Sequence, residues 1–342
     1  MKQRTDRNAL FVALMCWAAF APSLLAQDIH FSQFFNAPPA CGPGRIGTFD
    51  GEYRLNGIFR QQWRSVTIPY RTFALGGDAR DFGGVKGLGA GIWTYSDKAG
   101  DSRLQQFHLS IGASWTERFG PSSEHALSGG AQFGFTSISI DRSAMTFDAQ
   151  YNGFAYDPSL ANNEQFQREA LTHTDLHAGV LYRYRPGQRE MIELGLSFFN
   201  LTAPRIGLLG SPPATLDHRF ALQVITRFPV AEKVDLLPML QYMTQGRFNE
   251  LDIGGNVRYI LLDRYGLERA VSFGAHYRAD DAGYIYAGLE HDDWTFGVSY
   301  DVNTSDLVPA SRNRGGVELS IIRIFRDHGA VPVRFKACPD QY

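Results

Sequence analysis

The sequence FHLSIGASWT at residues 107–116 alternates apolar side chains with small or polar ones, and LSGGAQFGFT at residues 127–136 repeats the pattern. A period of two puts the apolar residues on one face of a β-strand and the polar residues on the other. Both stretches are therefore predicted to be strands of a sheet that has one apolar and one polar face.

The same alternation recurs along the chain and predicts about fourteen strands. Several are 10 to 14 residues long, which suits a strand crossing a tilted bilayer better than an ordinary globular strand. The predicted strands lie near residues 52–62, 70–79, 86–96, 104–117, 124–137, 172–185, 189–200, 216–228, 233–243, 248–261, 268–278, 283–290, 293–301 and 314–325.

Alternating apolar and polar residues fit both a membrane barrel and a soluble sandwich. The lengths of the connections between strands distinguish the two. The odd-numbered connections include the long segments at residues 138–171, 201–215 and 302–313. The even-numbered ones are mostly brief, as at residues 186–188, 229–232 and 291–292. Long loops on one side and short turns on the other are typical of outer-membrane barrels. The predicted fold class is all-β: an antiparallel transmembrane β-barrel of the outer membrane with about 14 strands.

Composition excludes other classes of protein. Among 342 residues, 33 Lys and Arg stand against 35 Asp and Glu, so no excess of basic charge favours nucleic acid as a partner. A hydrophobic fraction of 44% is too high for a disordered chain. The 35 Gly, 25 Phe and 15 Tyr residues, beside only 6 Met, favour strands over helices.

The N-terminus has the layout of a secretory signal peptide: a basic start, an apolar run at residues 9–20 and the segment PSLLA at residues 22–26, with cleavage expected after Ala26. Beyond it no run of 18 apolar residues offers a transmembrane helix. The predicted division is a signal peptide at residues 1–26, a periplasmic N-terminal segment at 27–50, the barrel at 51–325 and a periplasmic C-terminal tail at 326–342.

Two positions strain the barrel interpretation. Pro238 falls inside a predicted strand, where it cannot donate a ladder hydrogen bond, so we expect that strand to be bulged or misplaced. Arg323 shares the lipid-facing parity of Val317, Leu319 and Ile321. We expect Arg323 to extend its guanidinium to the periplasmic edge of the membrane.

Several stretches, in family order, resemble the PorP/SprF family of type IX secretion system outer-membrane proteins. The more specific ones are QDIHFSQFFNAP at residues 27–38, YRLNGIFRQQWRSV at 53–66, FGVSYDVNTS at 296–305 and GGVELS at 315–320. Weaker matches are DKAGD at residues 97–101, FAYDPSL at 154–160 and LLPM at 236–239. One departure is APPACGPG at residues 37–44, where the family more often has Asn-Pro-Ala followed by Leu or Tyr, Thr and Gly.

The resemblance implies a non-enzymatic barrel in the outer membrane of a Bacteroidota cell. It implies a role in exporting cargo proteins to the cell surface and, for some members, in gliding motility. The implied partners are the periplasmic ring of the type IX system, other outer-membrane components and, for some members, a co-encoded surface adhesin. An alternative of another class is an outer-membrane channel for a small solute, in which lumen residues and the long loop at residues 138–171 form a ligand path.

Cys41 and Cys338 remain after the signal peptide is removed, one before the first strand and one after the last. Those strands are neighbours in a closed barrel, and both flanks would lie in the oxidising periplasm. A disulfide between Cys41 and Cys338 is one prediction, and two free thiols are the alternative.

The cluster at residues 60–66 falls at the first extracellular connection of the predicted topology. One interpretation is a contact surface for a partner or cargo, formed by Arg60, Gln62, Trp63 and Arg64, since Trp and Arg are favoured in interface hot spots. The other is a segment folded back on the lumen mouth, with arginine paired to lumen carboxylates.

The sequence gives little support to catalysis or to a cofactor. His173 and His177 are four residues apart, but in a strand that spacing separates them by about 13 Å, so no metal site is predicted. Nucleophile-elbow, zinc-protease and phosphate-loop motifs are absent from the sequence. We therefore predict no enzymatic activity, no metal and no cofactor.

Overall fold

A computed structural model describes residues 28–62, 68–100, 103–141, 143, 145–161, 168–207, 214–264, 267–305 and 308–326. The predicted signal peptide, Trp63, Arg64 and Cys338 lie outside the described residues.

Each of the fourteen predicted strands is present, with ends that differ by a few residues from the sequence-based bounds. The strands are β1 Tyr53–Gln62, β2 Tyr70–Ala79, β3 Leu88–Ala99, β4 Leu104–Phe119, β5 His125–Ser139, β6 Ala170–Gly187, β7 Glu190–Phe199, β8 Arg219–Ala231, β9 Val234–Gln245, β10 Phe248–Arg264, β11 Leu267–Arg278, β12 Ala282–His291, β13 Trp294–Asn303 and β14 Arg314–Phe325. The predicted transmembrane β-barrel is confirmed.

The sheet closes on itself because the first and last strands pair along their length. Every strand is antiparallel to both neighbours, and β1 pairs with β14 from Tyr53 opposite Phe325 to Gln62 opposite Gly316. Closure leaves no row of unpaired backbone groups, which hydrocarbon could not hydrogen-bond.

Helical structure in the described residues is confined to single turns outside the strands. These turns are α1 Pro38–Cys41 and α2 Val308–Ser311, with 3₁₀ turns at Phe34–Asn36, Pro43–Arg45, Phe82–Gly84 and Asp148–Gln150. Across the part of the chain that the structure describes, none of the helices has the length and apolar character needed to cross a membrane.

The alternation of the sequence becomes the difference between the two faces of the barrel wall. Outward side chains are apolar and uncovered by protein, as for Ile111 at 60% exposure and Phe273 at 64%. Inward side chains are polar and buried, as for Gln132 and Asn256. The apolar side therefore faces lipid, and the polar side faces the interior of the barrel.

Pro238 does not produce the bulge that the sequence led us to expect. It lies within β9 in continuous register with β10, opposite Gly255. On its other side the ladder to β8 is interrupted, and the Thr226 hydroxyl donates to the Pro238 carbonyl oxygen at 2.8 Å. The strand is therefore correctly placed and unbulged at the proline, because the missing N–H faces the side where the ladder to β8 is already broken. The Thr226 hydroxyl supplies the proline carbonyl with a donor there.

A charge placed on the lipid-facing side at mid-strand should destabilise the barrel strongly. We expect Ile111→Arg to lower the free energy of unfolding by about 2–4 kcal/mol, since that position faces the hydrocarbon. Urea titration of the protein folded in lipid vesicles, followed by tryptophan fluorescence, measures this change.

Ser96→Arg is the matched control, because Ser96 also faces outward but lies near the end of β3. We expect a cost of about 0–1 kcal/mol there. Equal losses for the two variants would contradict the assignment of a lipid-facing apolar band.

Candidate functional site

Residues 28–50, which we call the plug, fill the interior of the barrel. The plug contacts all fourteen strands, which a segment can do only from inside a closed ring. Contacts with successive strands involve Arg60, Asp78, Trp93, Ser114, Gly130, Arg183, Glu193, Gln223, Gln245, Glu250, Arg278, Tyr286, Asp301 and Glu318.

The plug runs from one end of the barrel to the other. At the long-loop end, the Asp28 amide donates to Gln245 Oε1 at 2.9 Å and Asn200 Nδ2 donates to Asp28 Oδ2 at 2.7 Å. At the short-turn end, Arg185 Nη1 lies 2.5 Å from Asp50 Oδ2. The sequence led us to expect residues 27–50 in the periplasm. Instead, the described part of that segment lies in the barrel, because the inner wall supplies partners for its polar groups.

Glu318 on β14 is the main acceptor for the upper part of the plug. Its two carboxylate oxygens accept the backbone N–H groups of Ser32 at 2.8 Å and Gln33 at 2.9 Å. Arg60 Nε lies 3.3 Å from Glu318 Oε1, and the Arg60 guanidinium also donates to the His30 carbonyl oxygen. One buried ion pair thus holds three consecutive peptide groups of the plug.

A second ion pair fixes the Ser32 side chain. The Ser32 hydroxyl donates to Asp301 Oδ2 at 2.8 Å, and it accepts a hydrogen bond from Arg278. Arg278 Nη2 lies 3.3 Å from the same carboxylate oxygen. Because these charges are shut off from water, each depends on its partner, and removal of one would leave the other without compensation.

Toward the periplasmic end, Glu193 on β7 joins the plug to the wall. Arg45 of the plug lies 2.5 Å from Glu193 Oε2, and Arg183 of β6 lies 2.5 Å from Oε1. Arg183 also donates to the Thr48 carbonyl oxygen. Glu193 is therefore shared between a plug arginine and a wall arginine.

Asp78 on β2 makes an equivalent attachment on the other side of the lumen. It accepts the Gly47 amide at 2.7 Å and binds Arg54 through both carboxylate oxygens, at 2.9 and 2.7 Å. Two-point geometry of this kind is the stronger form of the arginine–carboxylate pair. The lower plug is thus held from β2 as well as from β7.

Apolar side chains anchor the middle of the plug. Phe31 packs edge-to-face on Trp93 with ring centroids 6.3 Å apart, beside Ile58. Phe34 and Cys41 form a separate buried cluster with Ile225 and Met239. The wall contributes four apolar residues to these clusters, at inward positions where most other side chains are polar: Ile58, Trp93, Ile225 and Met239.

Inward glycines let the plug approach the wall closely. A side chain at Gly130 would place its Cβ 2.4 Å from the Pro43 carbonyl oxygen, and one at Gly89 would place its Cβ 2.7 Å from the Ile46 carbonyl oxygen. Larger residues there would displace the plug. Glycine within a strand often marks such a close approach of a second backbone.

A small chamber lined by both polar and apolar side chains lies between the plug and the wall near the long-loop end. Its volume is about 60 Å³, room for only a few water molecules. His173 and His177 both line it, with His173 Nδ1 2.8 Å from Asp175 Oδ2. Within the described residues, no group of three or more His, Cys, Asp or Glu side chains is arranged to hold a metal ion.

The structure places Arg60 inside the lumen, where its side chain is 4% exposed and pairs with Glu318. Of the two interpretations offered for residues 60–66, Arg60 fits the pairing of arginine with lumen carboxylates. Its side chain is therefore not available to a partner at the surface. Gln62 is half-buried at the end of β1. For Gln62, Trp63 and Arg64, the partner contact stays a prediction, and the last two lie outside the described residues.

Cys41 lies in the lumen, not at the periplasmic flank where the sequence placed it. Its sulfur is buried and lies 3.0 Å from the Phe34 carbonyl oxygen. Cys338 lies outside the described residues, so the disulfide stays a prediction.

The wall residues that hold the plug are not among the residues predicted from the sequence. These are Asp78, Glu193, Arg278, Asp301 and Glu318. Each is a charged residue at an inward position of its strand, and Glu193, Asp301 and Glu318 are flanked on both sides by outward apolar residues. The alternation of the sequence shows that these charged residues face inward. Their contacts with residues 28–50 cannot be predicted from it, because they form only in the closed barrel.

The fold and its occupied interior define a class: an outer-membrane β-barrel whose lumen is filled by its own N-terminal segment. The sequence profile of the family described as type IX secretion system membrane protein PorP/SprF matches residues 23–322. The chain belongs to this family. A search of curated proteins gives no match.

Solved structures of similar fold are outer-membrane barrels of low sequence identity. The CymD monoaromatic hydrocarbon channel has a TM-score of 0.49 at 9% identity, covering 86% of this chain and 94% of that chain. The Pseudomonas putida toluene transporter TodX has a TM-score of 0.47 at 8% identity, with coverages of 84% and 92%. A Pseudomonas aeruginosa FadL homologue has a TM-score of 0.44 at 11% identity, with coverages of 85% and 95%.

Neutralising Glu318 should loosen the upper plug. In Glu318→Gln, one of the two plug amides loses its acceptor and Arg60 loses its carboxylate. A hydrogen bond to a charged group contributes about 1.5–3 kcal/mol, so we expect the amides of Ser32 and Gln33 to exchange with deuterium at least about tenfold faster. Hydrogen-exchange mass spectrometry on the detergent-solubilised barrel measures this.

Glu290→Gln is the matched control. Glu290 also forms a lumenal ion pair, at 2.7 Å from Arg258, but does not contact the plug. Unchanged exchange at residues 32 and 33 in Glu318→Gln, or an equal acceleration in the control, would contradict the assignment of Glu318 as the plug acceptor.

The predicted disulfide has a direct test. If Cys41 and Cys338 are bonded, the unfolded protein migrates faster on a non-reducing gel than on a reducing one, and Cys41→Ser abolishes the shift. Identical mobility with and without reductant would establish two free thiols.

Proposed function

We propose that this protein is the outer-membrane barrel of a type IX secretion machine and that it supports export of cargo proteins as a docking component rather than as a passage. It acts in the outer membrane of a Bacteroidota cell, without catalysis. Its partners are the periplasmic ring and other outer-membrane components and, where gliding depends on it, a co-encoded surface adhesin. Membership of the PorP/SprF family supports the machine, and the plug supports the docking role.

The single observation that carries the docking role is the occupation of the lumen. The plug reaches both ends of the barrel and contacts every strand. The spaces beside it, about 60 Å³ near the long-loop end and about 150 and 490 Å³ toward the short-turn end, are each far smaller than a folded protein. Its attachments are buried ion pairs at Glu318, Asp301, Glu193 and Asp78. A barrel closed in this way presents its two rims, not its interior, to other proteins.

The rim with long loops carries a preformed aromatic surface. The Tyr151 and Tyr156 backbones pair, and Asn152 Oδ1 accepts the amides of Phe154 and Ala155 at 3.0 Å each. These bonds hold Phe154 at the tip of a tight hairpin, where its side chain is 96% exposed. An ordered, exposed aromatic residue offers contact area at little cost in conformational entropy.

The next residues of this loop form further internal hydrogen bonds. Asp157 accepts both the amide and the hydroxyl hydrogen of Ser159, at 2.9 and 2.6 Å. The pKa of Asp157 is accordingly lowered, first by the Ser159 hydroxyl and then by its amide. The carboxylate is thus charged throughout the neutral range, and the loop keeps its shape where a cargo or adhesin would meet it.

The alternative function, a channel for a small solute, makes a different demand on the same structure. It would require a continuous lumenal path, so the plug would have to leave or rearrange. Secretion and uptake can be measured in one set of strains, which separates the two functions.

The experiment uses a strain that lacks the protein, complemented with tagged wild type, Phe154→Asp or Phe82→Asp. Phe82 is also exposed, at 53%, but lies on the opposite rim and serves as the matched control. We expect crosslinking in intact cells, followed by mass spectrometry, to recover ring proteins or a large surface adhesin with wild type. We expect Phe154→Asp to reduce secreted cargo at least about fivefold at normal barrel abundance. We expect Phe82→Asp to leave the recovery of cargo or adhesin by crosslinking unchanged.

Two results would contradict the proposal. Normal secretion in the strain without the protein, together with loss of uptake of one solute, would establish the channel. Recovery of the barrel alone after crosslinking, with secretion intact in every strain, would remove the secretion role altogether.

A further inference from the structure

A concave apolar groove lies on the outer wall of the barrel, near the short-turn end of β1, β2, β3 and β14. It has a volume of about 450 Å³. Its sides are Leu55, Leu75, Ile92 and Ile321, all of which face outward. The groove is separate from the plug, since it lies on the other face of the wall.

Two outward glycines create the groove. Gly57 lies between Leu75 and Ile321 in the strand register, and Gly77 lies between Leu55 and Ile92. A Cβ at Gly57 would lie 3.3 Å from both Ile321 Cγ2 and Leu75 Cδ2 and 3.9 Å from the Ala74 carbonyl oxygen, so its nearest neighbours are two flanking side chains. Glycine within a strand often marks a place where a ligand or another backbone approaches closely, and on the lipid side that ligand can be an acyl chain.

Arg323 closes the periplasmic end of the groove. It stands opposite Leu55 on one side and Trp294 on the other, and its guanidinium lies 4.8 Å from the Trp294 ring centroid and 4.4 Å from that of Phe325. As the sequence led us to expect, this lipid-facing arginine lies near the periplasmic edge, third from the end of β14. The two rings hold the cation at the depth of the membrane interface.

The charge of Arg323 is unbalanced within the described residues. Its Nε is buried and has no hydrogen-bond partner there. The nearby Arg326 differs, because its Nη1 pairs with Asp293 Oδ1 at 3.0 Å. Arg323 is thus a cation at the mouth of an apolar groove, packed against two aromatic rings and without a hydrogen bond at its buried Nε. Its Nη groups are the donors that can reach an anion.

We propose that this groove binds one phospholipid of the periplasmic leaflet, with its phosphate on Arg323 and an acyl chain along Gly77 and Gly57. The planar guanidinium matches the oxygens of a phosphate, and the apolar walls match a hydrocarbon chain. The depth of Arg323 puts the phosphate at the interface and directs the chain toward the middle of the membrane. The site stands whether or not the proposed secretion role holds.

The test is native mass spectrometry of the purified barrel in detergent with one lipid added at a time. Phosphatidylglycerol and phosphatidylethanolamine both carry the phosphate, whereas diacylglycerol carries only the chains. We expect wild type to retain one molecule of either phospholipid and to retain diacylglycerol at least fivefold less. Saturating inorganic phosphate should not replace the phospholipid, because it lacks the chains.

Two kinds of variant separate the phosphate site from the chain site. Arg323→Gln removes the cation, and Gly57→Leu fills the groove; each should reduce the fraction of phospholipid-bound protein at least fivefold. Gly77→Leu is a second groove variant, and heat-modifiable migration on gels confirms that each variant is folded.

The barrel offers matched controls for both changes. Gly129 is an outward glycine that, like Gly57, is the fifth residue from the short-turn end of its strand, and open space surrounds it. Arg71 is an outward arginine at the opposite rim. Gly129→Leu and Arg71→Gln should retain phospholipid as wild type does.

Several outcomes would overturn the proposal. One is equal retention of phospholipid by wild type, Arg323→Gln and the folded groove variants. Another is equal loss in the control variants, which would indicate a general lipid annulus. Equal retention of diacylglycerol and phospholipid would remove the phosphate contact, and displacement by inorganic phosphate alone would reduce the site to an anion site.

Discussion

The pairing of β1 with β14 is the constraint on which the rest of the structure depends. Hydrocarbon offers no hydrogen bonds, so a sheet in a membrane must leave no edge unpaired. The closing ladder from Tyr53 opposite Phe325 to Gln62 opposite Gly316 meets that demand. Closure also fixes which face is inside, and so it turns an alternating sequence into a lipid-facing wall and an enclosed polar interior.

An enclosed polar interior brings its own requirement, since charged groups shut off from water must be paired. The wall supplies Glu318, Asp301, Glu193 and Asp78, and the plug supplies peptide N–H groups, the Ser32 hydroxyl and Arg45. Arginines of the wall complete most of these clusters. The plug is therefore part of the folded barrel, and its position is set by specific partners more than by apolar contact.

Much of the fold follows from the sequence because its signal is local. Strand positions depend on a period of two, and their order around the barrel follows from short connections between antiparallel neighbours. Pro238 shows the limit of such reasoning, since the Thr226 hydroxyl that serves its carbonyl belongs to another strand. Arg60 shows it too: its position in the sequence fitted either interpretation, and only the location of Glu318 distinguished them.

The sequence by itself determined the strands, the two faces of the wall, the family and the interfacial depth of Arg323, because each depends on residue order along a strand or on a motif. Only the tertiary structure decided that residues 28–50 lie inside the barrel, that Cys41 is lumenal and that two glycines and Arg323 form one groove. Those features join residues far apart in the chain. Their contacts come into existence only when the ring closes and gives each side chain its neighbours across the lumen or along the wall.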